Sequence, residues 1–347
     1  MAATQNLDPE KLERIYNNIA HATRQNGSTG KRKPRYSVAD IQKFFEEGST
    51  TSIHDTNKAE FSQQDWQLFW TATSSDKYTL LDAAVESNSP ANAELTKLYL
   101  DEMKKADLSD TQRKKIFTSS TKFPPLYRTI KNAVSATSVD TSWEKLTDSI
   151  LQETQNALGK DSEEYKELFT RLYTDGNHHL LEMVYNNGPN PFALKIAQAM
   201  RDAFANNKNS RLQKNLKSIL ETPTHDKGYA FGILNKIFYQ TPATEMLIDA
   251  AADSQRTNFK QHYEVIADIF ISAYGKKALN KFDEMIDRLP NDHITKGPIN
   301  KKRAEKLMLV AGGDNFRDGL QLTRPFVVQE FRRILESKQA AKTNCVV

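Results

Sequence analysis

Four short apolar segments recur along this chain, and their spacing constrains its fold more than any other feature. They are Tyr78-Thr79-Leu80-Leu81-Asp82-Ala83-Ala84-Val85, Pro124-Pro125-Leu126-Tyr127-Arg128-Thr129-Ile130, His178-His179-Leu180-Leu181-Glu182-Met183-Val184 and Tyr229-Ala230-Phe231-Gly232-Ile233-Leu234. Aligned on Leu81, Leu126, Leu180 and Phe231, they are 45, 54 and 51 residues apart. Each belongs to a unit with the same order of features: a charged helix, a polar loop, an apolar helix, a polar gap and a further amphipathic helix. Such a unit cannot bury its own apolar faces, so neighbours must stack to form one continuous core.

Helical spacing supports the same reading. Tyr165, Leu168, Phe169 and Leu172 fall at i, i+3, i+4 and i+7, and Leu212, Leu216, Ile219 and Leu220 at i, i+4, i+7 and i+8. Asp161 and Asn209 stand where N-caps belong. Asp8-Pro9 opens a first helix reaching about Arg24, and Ser37-Val38-Ala39-Asp40 opens a second with a capping box. Only 13 glycines and 12 prolines in 347 residues favour long helices over a turn-rich sheet protein. The expectation is an all-α helical repeat solenoid with helical caps. Residues 1–61 form the N-terminal cap, 62–275 the array, and 276–347 the C-terminal cap and tail, with Phe326, Val327, Val328, Phe331, Ile334 and Leu335 as its apolar face.

The segment Thr79-Leu80-Leu81-Asp82-Ala83-Ala84, followed by Glu94-Leu95-Thr96-Lys97-Leu98-Tyr99-Leu100, resembles an ankyrin repeat. Thr79, Leu81 and Ala84 match its Thr-Pro-Leu-His-x-Ala signature, and Pro125-Leu126 keeps the Pro-Leu. The signature histidine is replaced by Asp82, Tyr127, Leu181 and Gly232. The interval exceeds the ankyrin period by about one helix per unit. The resemblance implies divergent ankyrin-like units, each with an extra helix. In style such an array is similar to effectors that intracellular bacteria deliver into host cells.

Chemistry is harder to find. The histidines are His21, His54, His178, His179, His225, His262 and His293, and none forms a zinc-helix pair at i, i+4. The one cysteine, Cys345, excludes a disulfide and fits a reducing cytoplasmic setting. Gly312-Gly313-Asp314-Asn315 lacks the Lys-Ser/Thr of a phosphate loop. No catalytic residue, metal or cofactor is assigned. A net charge of +4 is too mild for a nucleic-acid binder, and no apolar run reaches membrane-spanning length. Trp66, Phe69 and Trp70 read as core at helical spacing rather than as a recognition platform.

The loops before the apolar helices differ, because periodicity does not bury them. In an ankyrin-like stack they project as fingers along one edge. Lys77, Tyr78, Lys122, Phe123, Tyr127, His178, His179, Lys227 and Tyr229 are therefore the expected protein-binding residues. The expected function is a non-enzymatic scaffold that binds another protein. Two alternatives remain: an enzyme with its site outside the repeats, and an acidic-lipid binder using Lys31, Arg32, Lys33 and Arg35.

Overall fold

The structure is a computed structural model describing residues 7–26, 36–48, 60–74, 77–118, 123–135, 142–173, 179–185, 191–221, 254–287, 329 and 331–341. Among these residues the secondary structure is helical and no sheet is formed. The chain divides into two compact units, Met1–Gly159 and Lys160–Val347.

The first unit contains α1 (Pro9–Asn26), α2 (Val38–Glu47), α3 (Gln63–Thr71), α4 (Leu80–Ala84), α5 (Pro90–Lys105), α6 (Asp110–Thr118), α7 (Pro125–Ser135) and α8 (Ser142–Leu158). α3 packs on α6 and α5 on α8, while α1 covers α3, α4 and α5, and α2 packs on α5. The second unit contains α9 (Glu163–Thr170), α10 (Leu180–Val184), α11 (Pro191–Phe204), α12 (Ser210–Glu221), α13 (Ser254–Tyr274) and α14 (Ala278–Asp287). There α9 packs on α12 and α11 on α13.

Side-chain caps start α3, α6, α9 and α12. The hydroxyl of Ser62 accepts from the Asp65 N–H at 3.1 Å, that of Ser109 from Gln112 at 3.3 Å, and that of Ser162 from Tyr165 at 3.1 Å. Asn209 does the same for Leu212 at 3.1 Å. Each satisfies an N–H that the helix itself leaves without a partner, a contribution of about 1 kcal/mol. Ser162 replaces the expected Asp161, which lies in the turn before the helix. Because α9 ends at Thr170, with Arg171 extended at ψ 136, Leu172 falls beyond the helical face and is exposed. Asn209, the Asp8-Pro9 start and the Ser37–Asp40 capping box occur where the sequence places them.

The apolar anchors Leu81, Leu126 and Leu180 are at most 1% exposed and occupy α4, α7 and α10. Each such leucine contributes about 2 kcal/mol by leaving water. Phe231 lies outside the described residues. α4 has only five residues, so it is held from both ends. Thr79 and Asp82 form a capping box, and the Asn92 amide donates to the Ala84 carbonyl at 2.7 Å. The loop after α4 is tied from α7 and α8: Asn132 donates to Val85 O at 3.0 Å and to Ser87 O at 3.2 Å, and the Trp143 indole donates to Asn88 O at 3.1 Å. Side chains from the following helices thus satisfy carbonyls that α4 cannot.

Phe69 and Trp70 are core, as expected, while Trp66 packs on the same aromatic cluster but is only half-buried. Phe45 stacks on Trp70 with ring centroids 5.3 Å apart, Phe61 stacks on Trp66 at 4.4 Å, and Phe69 meets Phe44 at 5.8 Å. In the second unit, Phe331, Ile334 and Leu335 of the helix over 331–341 are buried, with Phe331 against Phe282 at 5.1 Å. Phe326, Val327 and Val328 lie outside the described residues.

Candidate functional site

Two loops expected to form finger tips meet in the first unit, and their meeting defines the candidate protein-binding edge. The turn before α4 is closed by hydrogen bonds from Lys77 N to Ser74 O at 2.7 Å and from Ser74 N to Tyr78 O at 2.9 Å. The Tyr16 hydroxyl on α1 also donates to Tyr78 O, at 2.5 Å. Burial raises the Tyr16 pKa, which keeps that hydroxyl protonated as a donor. Lys77 adopts φ 64, a left-handed conformation costing about 1 kcal/mol for a residue with a Cβ. It leaves the Lys77 side chain exposed and the Tyr78 side chain half-buried.

Two guanidinium groups flank the Tyr78 ring. Arg24, in the last turn of α1, lies 4.9 Å from the ring centroid, and Arg128 on α7 lies 5.1 Å away. Arg128 also donates to the Tyr78 hydroxyl at 3.1 Å and to the Phe123 carbonyl at 3.2 Å. Its guanidinium is 5.7 Å from the Phe123 ring, which stacks on Tyr127 at 5.4 Å. Arg24 pairs with Glu86 at 3.1 Å. The result is a half-exposed ladder of alternating arginine and aromatic groups, each contact worth about 1 kcal/mol.

The expected site residues separate into three groups. Tyr78 and Phe123 are brought together through Arg128, with Lys77 beside Tyr78 in the turn. Tyr127 and His179 are corrected to packing roles, being only 2% and 6% exposed. Tyr127 lies on the buried face of α7, where Phe123 covers it. His179 stands at the N-cap of α10 without a side-chain capping bond, and its Nδ1 lies 3.2 Å from Arg171 O. Lys122, His178, Lys227 and Tyr229 lie outside the described residues, as do Lys31, Arg32, Lys33 and Arg35. The flanks of that basic segment are joined, since Asn26 donates to Tyr36 O at 2.8 Å.

Sequence reasoning missed Arg24 and Arg128. Helix-end position was the available signal for Arg24. Nothing in the local pattern shows that Arg128 reaches a tyrosine fifty residues away. A cleft of about 380 Å³ between α5 and α8 was missed for the same reason; Leu100 and Leu146 contribute apolar lining, and Lys97, Lys104 and Lys145 contribute charge.

No group of histidine, cysteine and carboxylate side chains suited to a metal occurs among the described residues. No described helix is long and apolar enough to cross a membrane. Comparison with protein-family models, curated proteins and solved structures gave no match.

Proposed function

We propose that the chain is a non-enzymatic protein-binding scaffold, built as a solenoid of divergent ankyrin-like units with an extra helix in each. The packing of α3 on α6 and α5 on α8, with α9 on α12 and α11 on α13, supports the repeat reading. Like helices of successive units stack in that way when no unit can close its own core. The observation that carries the binding reading is the meeting of Tyr78 and Phe123 on Arg128. Two successive finger loops are thereby fused into one rigid, half-exposed edge. Aromatic and arginine side chains held in place before contact lose little entropy on binding and dominate interface energetics.

The test is affinity capture from cytosol with the intact chain and with Tyr78→Ala and Phe123→Ala. A specific partner retained by the parent should bind each variant at least about tenfold more weakly, the loss typical of a contact worth over 1 kcal/mol. Undiminished capture by both variants would rule out this edge.

A further inference from the structure

We infer that the Tyr78 edge takes an acidic segment of its protein partner, with Arg128 as the principal carboxylate receptor. This rests on the binding function proposed above and specifies the chemistry of the occupant.

An arginine elsewhere in the same unit provides an internal comparison. Arg113 on α6 donates from Nε to the carbonyl of Leu108, five residues earlier, at 3.1 Å. Arg128 on α7 donates from Nε to the carbonyl of Phe123, also five residues earlier, at 3.2 Å. The backbone task is the same, but the remainder of each guanidinium is used differently. Arg113 turns Nη1 to the Glu153 carboxylate at 3.5 Å. Arg128 turns Nη2 to the neutral Tyr78 hydroxyl and lies near two aromatic rings, with no carboxylate partner among the described residues. A half-buried guanidinium is the side chain best suited to bidentate recognition of a carboxylate. Its aromatic neighbours fix its position beforehand, which reduces the entropy lost when an acid binds.

The surrounding charges agree. Among the described residues, Arg24 and Lys77 are the other cations of this edge, while Glu86 and the buried Asp82 are its acids. Asp82 is engaged by the Thr79 backbone N–H and hydroxyl at 2.9 and 2.8 Å. Among the described residues Glu86 is held by Arg24, in a pair whose side chains are 31% and 41% exposed. An exposed pair of that kind contributes about 0–1 kcal/mol, so a partner carboxylate can displace Glu86 at little cost. Among the described residues, the two arginines, with one acid buried and the other exchangeable, give this edge a positive character.

The experiment is fluorescence anisotropy of labelled oligo-glutamate, oligo-glutamine and oligo-lysine peptides against the full chain at low ionic strength. Oligo-glutamate alone should bind, and binding should weaken as salt rises. Arg128→Gln should weaken it at least about tenfold, and Arg128→Lys by less, since charge is kept while the fork is lost. Arg113→Gln removes the same type of carbonyl bond without touching the edge, and should stay within about twofold of the parent. Equal affinity for the parent and Arg128→Gln would overturn the inference, as would equal losses in the Arg128 and Arg113 variants. Tyr78-dependent binding of oligo-glutamine or oligo-lysine would overturn the acid preference while leaving the edge a contact surface. Failure of all three peptides to bind the parent would also overturn it, whereas the capture experiment tests the edge itself.

Discussion

His262 on α13 is 1% exposed, and the Tyr185 hydroxyl lies 2.7 Å from its Nδ1. Burial lowers its pKa from 6.5 to about 4, because the imidazolium loses its hydration there. Burial raises the Tyr185 pKa, so the phenol stays protonated and shares one hydrogen bond with Nδ1. The other ring nitrogen, Nε2, is buried without a hydrogen-bond partner among the described residues, so nothing there compensates a charged ring. Between pH 6.5 and about 4 the unfolded chain binds a proton that the folded chain refuses. The stability associated with this histidine is therefore complete above that window and lost as pH falls through it, by about 2 kcal/mol at pH 5. Urea denaturation of the parent and His262→Gln across this range should show a smaller pH slope for the variant. Identical slopes would contradict the buried neutral histidine. Of the His178-His179 pair, expected at a protein-binding finger, His179 is a buried N-cap residue of α10.

At the scale of elements, the short helix α4 depends on side chains supplied by other helices. Asn132→Ala would leave the Val85 and Ser87 carbonyls without their amide donor. It should cost about 1–3 kcal/mol, seen as a lower urea midpoint with an unchanged m-value. Loss of less than a few tenths of a kcal/mol would show that water replaces the amide. Helix starts were largely legible from sequence, because a cap acts within three residues: Ser37 with Asp40 and Asn209 with Leu212 are local bonds. The failures were also local in cause. Leu172 continues the apolar spacing, but the backbone leaves the helix at Arg171, and spacing alone cannot register that departure. Asp161 and Ser162 are both acceptable caps by residue type, and the position of the buried Tyr165 at N3 selects the serine.

At the scale of the molecule, the first unit has its own core and its own edge. A fragment ending at Gly159 retains the Phe45–Trp70 and Phe61–Trp66 stacks and the Tyr78–Arg128 bond. It should therefore melt cooperatively by circular dichroism with high helix content, and a broad, non-cooperative loss of signal would argue against an independent core. From sequence alone came the all-α class, the burial of Leu81, Leu126 and Leu180, several helix caps and the core assignment of Phe69 and Trp70. Those follow from periodicity and from bonds between near neighbours, which a linear pattern records. Only the tertiary structure decided which finger residues share an edge. It buried Tyr127 and His179, placed Arg24 and Arg128 against Tyr78, and opened the cleft between α5 and α8. Each of those outcomes depends on how helices distant in sequence pack, and helical spacing specifies which face is apolar but not what that face will meet.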